Sequence, residues 1–401
     1  MVKTIAYVSV VAMRLSFINN LTIQQYRIMY LITATGSEAG TIETLPITEG
    51  MTMMTSAEMA ALGIQFGAAD KVAITSEATI EVLLQHLGDD AKRNAVEQLK
   101  DKYKFRKMLT TMYPDYRFSL INAVDIRSLK VDKKCVIKPV KGCFGTGVRV
   151  IDSSTDMNLL MDDIDVEMVK NGSILSESVL TKEQFLIESY IGGEEYAVDM
   201  FYDKNGKPHI VNIYHHPMPR EEAYLHVIYY TSKAVFEQIY DKAIAFFERL
   251  NETLNVTNFL IHSEFRLDND VLMPIEMNTM RVGGMGLGNM VYHALGVNPY
   301  HYFINDESPN WAAIWADKSD EIYAYFIAYN GKSIDKNLYQ PDVEKLKSQF
   351  AKVILERIFD YKTQLAFGVF CIKETPENLT KLLNIEFDDF FEKVTPSSSL
   401  E

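Results

Sequence analysis

Between Thr257 and Gly286 the chain reads TNFLIHSEFRLDNDVLMPIEMNTMRVGGMG, and no other stretch constrains the fold as tightly. Two extended runs, Phe259 to Leu267 and Val271 to Asn278, flank Asp268-Asn269-Asp270, a run of turn formers, so a β-hairpin is expected. Side chains alternate along a strand, which groups His262, Glu264 and Arg266 on one polar face and sends Phe265 and Leu267 to the other. With a three-residue loop, Glu264 stands opposite Pro274, Glu276 lies diagonal to Glu264, and Asn278 follows on the same face. Two carboxylates and an amide oxygen are hard ligands suited to Mg²⁺ or Mn²⁺, ions usually completed by water and nucleotide phosphates. A half-solvated hairpin with a charged outer face would show the same pattern. Arg281 and Gly283-Gly284 then bring a guanidinium beside those carboxylates, on a loop whose glycines let a ligand approach the backbone.

Four further segments bear on this reading. A helical pattern from about Ala91 to Met112 carries the most basic patch of the chain, Lys100, Lys102, Lys104, Arg106 and Lys107, which by itself reads as a solvated helix face. Cys135 to Val140 is a short apolar strand bearing Lys138, and the loop Gly142-Cys143-Phe144-Gly145-Thr146-Gly147 leads from it into a second strand, Val148 to Asp152. Strand, glycine loop, strand makes a flap whose bare N–H groups can close over phosphates; it is neither a Walker loop nor a dinucleotide-binding turn. Phe185 to Asp199, FLIESYIGGEEYAVD, reads as a strand to Ile191, a Gly192-Gly193 turn and a strand from Glu195. Tyr196 to Tyr202 and His209 to His215 flank Asp203-Lys204-Asn205-Gly206-Lys207, another hairpin.

Together EMNTMRVGG, Asp101-Lys102, Lys138-Pro139 with its glycine loop, and the Gly-Gly hinge resemble the ATP-grasp superfamily, in order and near its spacing, over roughly residues 101–286. The resemblance implies an ATP-grasp fold of the α/β and α+β class, with an N-terminal parallel α/β domain, a mobile lid and an antiparallel-sheet body. The expected divisions are 1–115, a lid at 116–191, a metal-bearing body at 192–315 and an α+β appendage at 316–396. It further implies that ATP with Mg²⁺ or Mn²⁺ binds here. Lys102, Lys138, Gly142, Gly145, Thr146 and Gly147 would meet phosphates. Glu188, Ser189 and Ile191 would line the adenine slot, and Glu195 would hold the ribose. Glu264, Glu276 and Asn278 would hold metal, with Arg281 and Lys138 catalytic. The implied activity is ADP-forming ligation of a small-molecule carboxylate to an amine, amino acids included, and a carboxylase-type, kinase-type or inactive nucleotide-binding member is the alternative.

At 401 residues the chain suffices for two or three domains, and its net charge of −14 argues against a nucleic-acid or anionic-membrane partner. Cys135, Cys143 and Cys371 are odd in number and show no metal spacing, as expected in a reducing, cytoplasmic setting. Lys3 and TIAYVSVVAM imitate a signal peptide, but Arg14 interrupts the run and a buried first strand fits better. No run reaches the roughly 18 apolar residues a membrane helix needs. Ile28 to Ile32 and Val72 to Ile74 read as strands of the N-terminal domain, with Ser76 the N-cap of ATIEVLLQHL. Gly36 to Gly67 shows no clear period. His215, His216 and Arg220 fit an acceptor-substrate contact or a solvated loop equally, and a homodimeric assembly is left open.

Overall fold

The computed structural model describes residues 29–33, 47–142, 145–172, 182–218, 227–318 and 321–394. The expected strand near Thr4 to Val11, the loop residues Cys143 and Phe144, and Arg220 therefore lie outside the described residues. The N-terminal part holds β1 (Met29–Thr33), β2 (Met51–Thr55) and β3 (Lys71–Ile74), all parallel, in the order β2-β1-β3. Parallel strands are covered on both faces, and Val72, Ala73 and Ile74 are buried accordingly. The stretch without a readable period contains β2 and the helix Ser56–Leu62, which opens with a capping box of Thr55 and Glu58. A half-exposed strand and a helix of under two turns leave too few repeats for periodicity to register. Ser76 precedes a 3₁₀ turn, Glu77–Thr79, and the α-helix Ile80–His86 begins after it with Thr79 in the N-cap position.

Where one helix was expected from Ala91 to Met112 there are two, Asp90–Lys100 and Lys102–Met108. Asp101 breaks them apart with extended backbone (ψ 108°), and its carboxylate caps the second by accepting from Lys104 N at 2.9 Å. This break rotates Lys102 and Arg106, one helical turn apart, into the protein, so both are buried. The basic patch is thus divided: Lys102 and Arg106 turn inwards, while Lys104 and Lys107 stay on a solvated face.

A four-stranded antiparallel sheet follows: β4 (Phe118–Asn122), β5 (Cys135–Pro139), β6 (Arg149–Ile151) and β7 (Gln184–Ser189), in the order β4-β7-β5-β6. Ile137, Ile151 and Phe185 from it pack with Met161, Ile164 and Met168 of the helix Met157–Gly172.

The body strands are β8 (Glu194–Tyr202), β9 (Pro208–His216), β10 (Ile228–Ser232), β11 (Phe259–Asp268), β12 (Val271–Thr279) and β13 (Ile322–Tyr329). Beyond them come β14 (Tyr339–Pro341), β15 (Lys352–Ile358), β16 (Ala366–Glu374) and β17 (Phe391–Lys393). Eight of these form one antiparallel sheet, β12-β11-β8-β9-β10-β13-β16-β15, so β13, β16 and β15 extend the body sheet, while β14 and β17 pair separately. The helix Lys233–Leu254, capped by Ser232, lies along it and buries Phe236, Ile239, Ala243, Phe246, Phe247 and Leu250 at a 3.6-residue repeat. No described helix is long and apolar enough to cross a membrane.

The four-stranded sheet joins the body at Gly192-Gly193. Gly193 has φ +77°, and a Cβ there would sit 1.9 Å from the Leu267 carbonyl oxygen, so only glycine lets the two backbones approach. Gly193→Ala is expected to lower stability by roughly 2–4 kcal/mol, because left-handed backbone and a backbone clash act together. A urea midpoint equal to that of the native chain would show that the junction tolerates a side chain.

Candidate active site

The β11–β12 hairpin closes with a two-residue turn, Asn269 and Asp270 at φ 48° and 64°, with Asp268 pairing Val271. The expected three-residue loop is therefore corrected, and with it the register. A bulge at Ile275 shifts the ladder so that Glu264 pairs directly with Glu276, while Phe265 pairs with Pro274. Proline has no N–H for the ladder, which makes its neighbour a natural place for a bulge. Asn278 pairs with His262 on the adjoining same-face rung. The two carboxylates are thus cross-strand partners rather than diagonal ones.

Cations surround this rung unequally. Lys102 Nζ lies 3.4 Å from Glu276 Oε1 and donates to the Gly142 carbonyl at 3.0 Å. Burial pushes the Glu276 pKa up, but Lys102, Lys100 and Lys138 outweigh it and hold the carboxyl below its ordinary value. For Glu264 burial dominates, joined by repulsion from Glu276 and Glu195, and its pKa is pushed up to about 7. One carboxylate is compensated and its partner is not.

Sequence reasoning missed Glu77, which sits in the 3₁₀ turn after β3. Arg281 Nε donates to its Oε1 at 3.0 Å and Lys100 Nζ lies 2.5 Å from its Oε2. Burial raises the Glu77 pKa, yet these two cations bring it down to about 2. Lys100 also reaches Asn278 Oδ1 at 3.4 Å, so Arg281, Glu77, Lys100 and Asn278 form one chain of polar contacts. Asp199 was missed as well. It is fully buried on β8 and accepts from His262 Nδ1 at 2.7 Å, Tyr214 OH at 2.7 Å and the Gly283 N–H at 2.8 Å. A single Asp or Glu in an apolar strand or turn gives no local pattern, so neither had a signal to find.

The expected nucleotide residues are placed as follows. Glu188 is buried on β7 and ion-paired with Lys138, while Arg106 Nε donates to it at 2.5 Å. Burial raises its pKa, and those two cations depress it to about 2. Its carboxylate is thereby turned to an internal ion cluster. Burial lowers the Lys138 pKa against the opposing pull of Glu188. Gly145 and Gly147 take φ 69° and 70°, Thr146 between them is buried, and the Gly147 N–H donates to Glu167 Oε2 at 3.2 Å. The carbonyl of Ser189 accepts from Tyr116 OH at 2.9 Å, and that of Ile191 accepts from Arg266 at 3.4 Å. Glu195 bonds His216 Nδ1 at 2.8 Å and Arg266 at 3.3 Å. Burial drives the His216 pKa down to about 3, so at neutral pH its Nδ1 proton is donated to Glu195. His215 lies beside Glu194 and Tyr230, stacked on Tyr196. Gly283 serves the chain itself: a Cβ there would meet Leu287 Cγ at 2.9 Å.

Among the described residues no three His, Cys, Asp or Glu side chains converge as a metal site. Glu264, Glu276 and the Asn278 amide nevertheless fit a hard divalent cation completed by water and phosphate, because these oxygen donors stand on adjoining rungs of one sheet face.

Residues 131–289 match the family model of the ATP-grasp domain. Comparison with curated protein sequences returns no match. Among solved structures, the chain is similar to an L-amino acid ligase from Bacillus licheniformis at 15% identity and TM-score 0.60, covering 92% of this chain and 99% of that one. It is also similar to an ADP complex of N5-carboxyaminoimidazole ribonucleotide synthetase, at 13% identity and TM-score 0.61, covering 90% and 97%. A biotin carboxylase from Campylobacter jejuni matches at 12% identity and TM-score 0.54, covering 93% and 94%. At these identities the likeness is one of fold.

A carboxylate whose pKa is depressed by folding stabilises the native state above its unfolded pKa and loses that contribution as pH falls. Glu77→Gln should therefore cost on the order of 2–3 kcal/mol at pH 7 by leaving Lys100 and Arg281 unpaired. The difference from the native chain should shrink as pH falls from about 4.5 towards 2. Thermal melts of both proteins across that range check it; a constant offset would remove the ion pairs as its cause.

Proposed function

We propose, on the premise that the chain carries an ATP-grasp domain across residues 131–289, that it is an ATP-dependent carboxylate–amine ligase that releases ADP and phosphate. The observation that carries this reading is the Glu264–Glu276 rung, with Lys102 and Lys138 acting on Glu276 and Arg281 on Glu264. In the proposed reaction a carboxylate oxygen attacks the γ-phosphorus, the bond to ADP breaks, and an amine nitrogen then attacks the acyl carbon. Phosphate leaves with the former carboxylate oxygen, and the nitrogen gives up a proton. A divalent cation held by Glu264, Glu276 and Asn278 would neutralise phosphate charge during the transfer.

The chain's own residues supply the rest. Lys102 and Lys138 now neutralise Glu276 and Glu188, and both would turn part of that charge towards phosphates. The Glu77 carboxylate fixes the Arg281 guanidinium, which would stabilise the developing oxyanion at the acyl carbon. Neutral His216 and Arg266 hold Glu195 for a ribose. The four-stranded sheet would close over the site and exclude water from the acyl phosphate. Amino acids are the proposed carboxylates, a choice supported by the likeness to an L-amino acid ligase. The likeness to biotin carboxylase supports a second reading in which bicarbonate is the acceptor. The proposed setting is the cytoplasm, in keeping with unpaired Cys135 and Cys371.

ADP release across a panel of carboxylates, bicarbonate included, each with and without an amine, tests the assignment. Glu276→Gln is expected to lower turnover by at least about a hundredfold with the melting temperature little changed; full activity in that folded variant would sink the proposed metal role. Arg281→Lys keeps the charge but loses the planar fork, so kcat should fall at least about tenfold, roughly 1.4 kcal/mol, while KM for ATP holds. A lowered melting temperature with normal kcat would make Arg281 a purely structural partner of Glu77.

A further inference from the structure

Away from the carboxylate rung, the far end of β8 and β9 brings a serine, a histidine and an aspartate into one line. The turn from Asp203 to Lys207 joins the two strands, and Asp203 comes six residues after Ala197, the β8 partner of Glu264. At the rise of a strand this is on the order of 20 Å from the site described above. His209 on β9 is buried, and its ring lies nearly parallel to that of Phe201 with centroids 4.9 Å apart. Its Nε2 stands 3.2 Å from Asp203 Oδ2, and its Nδ1 stands 2.5 Å from Ser308 Oγ. Ser308 itself is exposed, in the segment between the helices Pro299–Asn305 and Trp311–Ile314.

The aspartate and the serine segment are each held by further contacts. Asp203 Oδ1 accepts from the N–H groups of Asn205 at 2.7 Å and Lys207 at 2.9 Å, and its backbone carbonyl accepts from Gly206 at 3.0 Å and Asn258 at 3.1 Å. Burial raises the Asp203 pKa, but the two N–H groups on its carboxylate and His209 outweigh it and hold the carboxyl below its ordinary value. The serine segment is pinned on both sides. The Glu307 N–H donates to the Tyr302 carbonyl at 3.1 Å, and the Trp311 indole donates at 3.0 Å to the carbonyl of Ile210, the residue after His209. An ionised Asp203 accepts a hydrogen bond from Nε2–H of a neutral imidazole, which leaves Nδ1 as the acceptor for the Ser308 hydroxyl. Nucleophile, base and orienting carboxylate then stand in the order that activates a hydroxyl. Other exposed serines bond differently: Ser154 Oγ donates to Asp152, and Ser128 Oγ to the Asp125 carbonyl.

We propose that Ser308 is a covalent acyl-acceptor site for small activated acyl donors, aryl esters and acyl phosphates being the chemical class. Ser308 Oγ attacks the acyl carbon, its proton passes to His209 Nδ1, and the bond from the acyl carbon to the leaving oxygen breaks. His209 returns the proton to the leaving phenolate or phosphate, and Ser308 remains as its ester. The step needs no oxidant or third reactant. It shares no residue with the ligase chemistry proposed above and does not depend on it.

The test incubates the native chain with p-nitrophenyl acetate and, separately, with acetyl phosphate, and locates the acetyl groups by peptide mass analysis over time. Ser308 should be acetylated at least about a hundredfold faster than Ser128 and Ser154, the contribution expected of a positioned base. Ser308→Ala should remove the acetyl group from that peptide and leave ADP release as in the native chain. His209→Gln keeps a polar side chain that takes up no proton, so acetylation of Ser308 should fall to the rate at Ser154. Acetylation of Ser308 in the native chain no faster than at the two reference serines would overturn the inference. A His209→Gln chain that is folded, as judged by its melting temperature, and acetylated at the native rate would overturn it as well.

Discussion

Glu264 and Glu276 occupy one rung of an antiparallel ladder, a position where like charges destabilise a sheet. Much of the interior is arranged around that repulsion. Lys102, Lys100 and Lys138 draw Glu276 down, and burying those lysines creates a second requirement that Glu77 and Glu188 meet. Arg106 then ties Glu188 on β7 to the backbone carbonyls of Pro274 and Ile275 on β12. The ion pairs thereby connect the four-stranded sheet with the body sheet and, through Glu77, with the turn that follows β3. In a chain of net charge −14 local carboxylates gather Lys100, Lys102, Lys138, Arg106 and Arg281 into one region.

Turns and alternation are local, and they were legible. The hairpins at Asp203 to Lys207 and Asp268 to Asp270, the Gly-Gly hinge and the helix from Ser232 could all be read from a few neighbouring residues. Register was not. Whether Glu264 faces Pro274 or Glu276 depends on a two-residue turn together with a bulge, and their effects combine to reverse the pairing that a three-residue loop implies. Burial of Lys102 and Arg106 within the basic patch was also hidden, since it follows from a single break at Asp101 that turns those two inwards. Glu77 and Asp199 act through partners 204 and 84 residues away along the chain, and no window of sequence holds both ends of such a contact.

Asp199 shows how one buried carboxylate can fix several elements at once. Its oxygens take a ring N–H from β11, a phenol from β9 and a backbone N–H from the loop after β12. An acceptor that is fully buried has a large penalty if any of these donors is lost, so the three are held to a common geometry. The glycine pair belongs to this arrangement. Gly283 is needed because Leu287 and Gly288 lie against it, and Gly284 because a Cβ would come within 3.3 Å of Arg281 Nη1. Both glycines shape the chain's own loop.

The long sheet separates two kinds of chemistry along one face. Strands β8, β11 and β12 carry the carboxylates, Asn278 and His262, whereas β10, β13, β15 and β16 present Tyr229, Tyr325, Leu355, Val369 and Cys371. The loop from Arg281 to Gly288 runs across the border, anchored by Asp199 from the charged half and by Tyr325 from the apolar half. Changes on the apolar strands alter volume without moving a charge, and electrostatic interactions fall off over the strand spacing less steeply than contact packing does. The charged strands and the apolar strands are therefore joined through this loop, which keeps them in register because its backbone is bound to both.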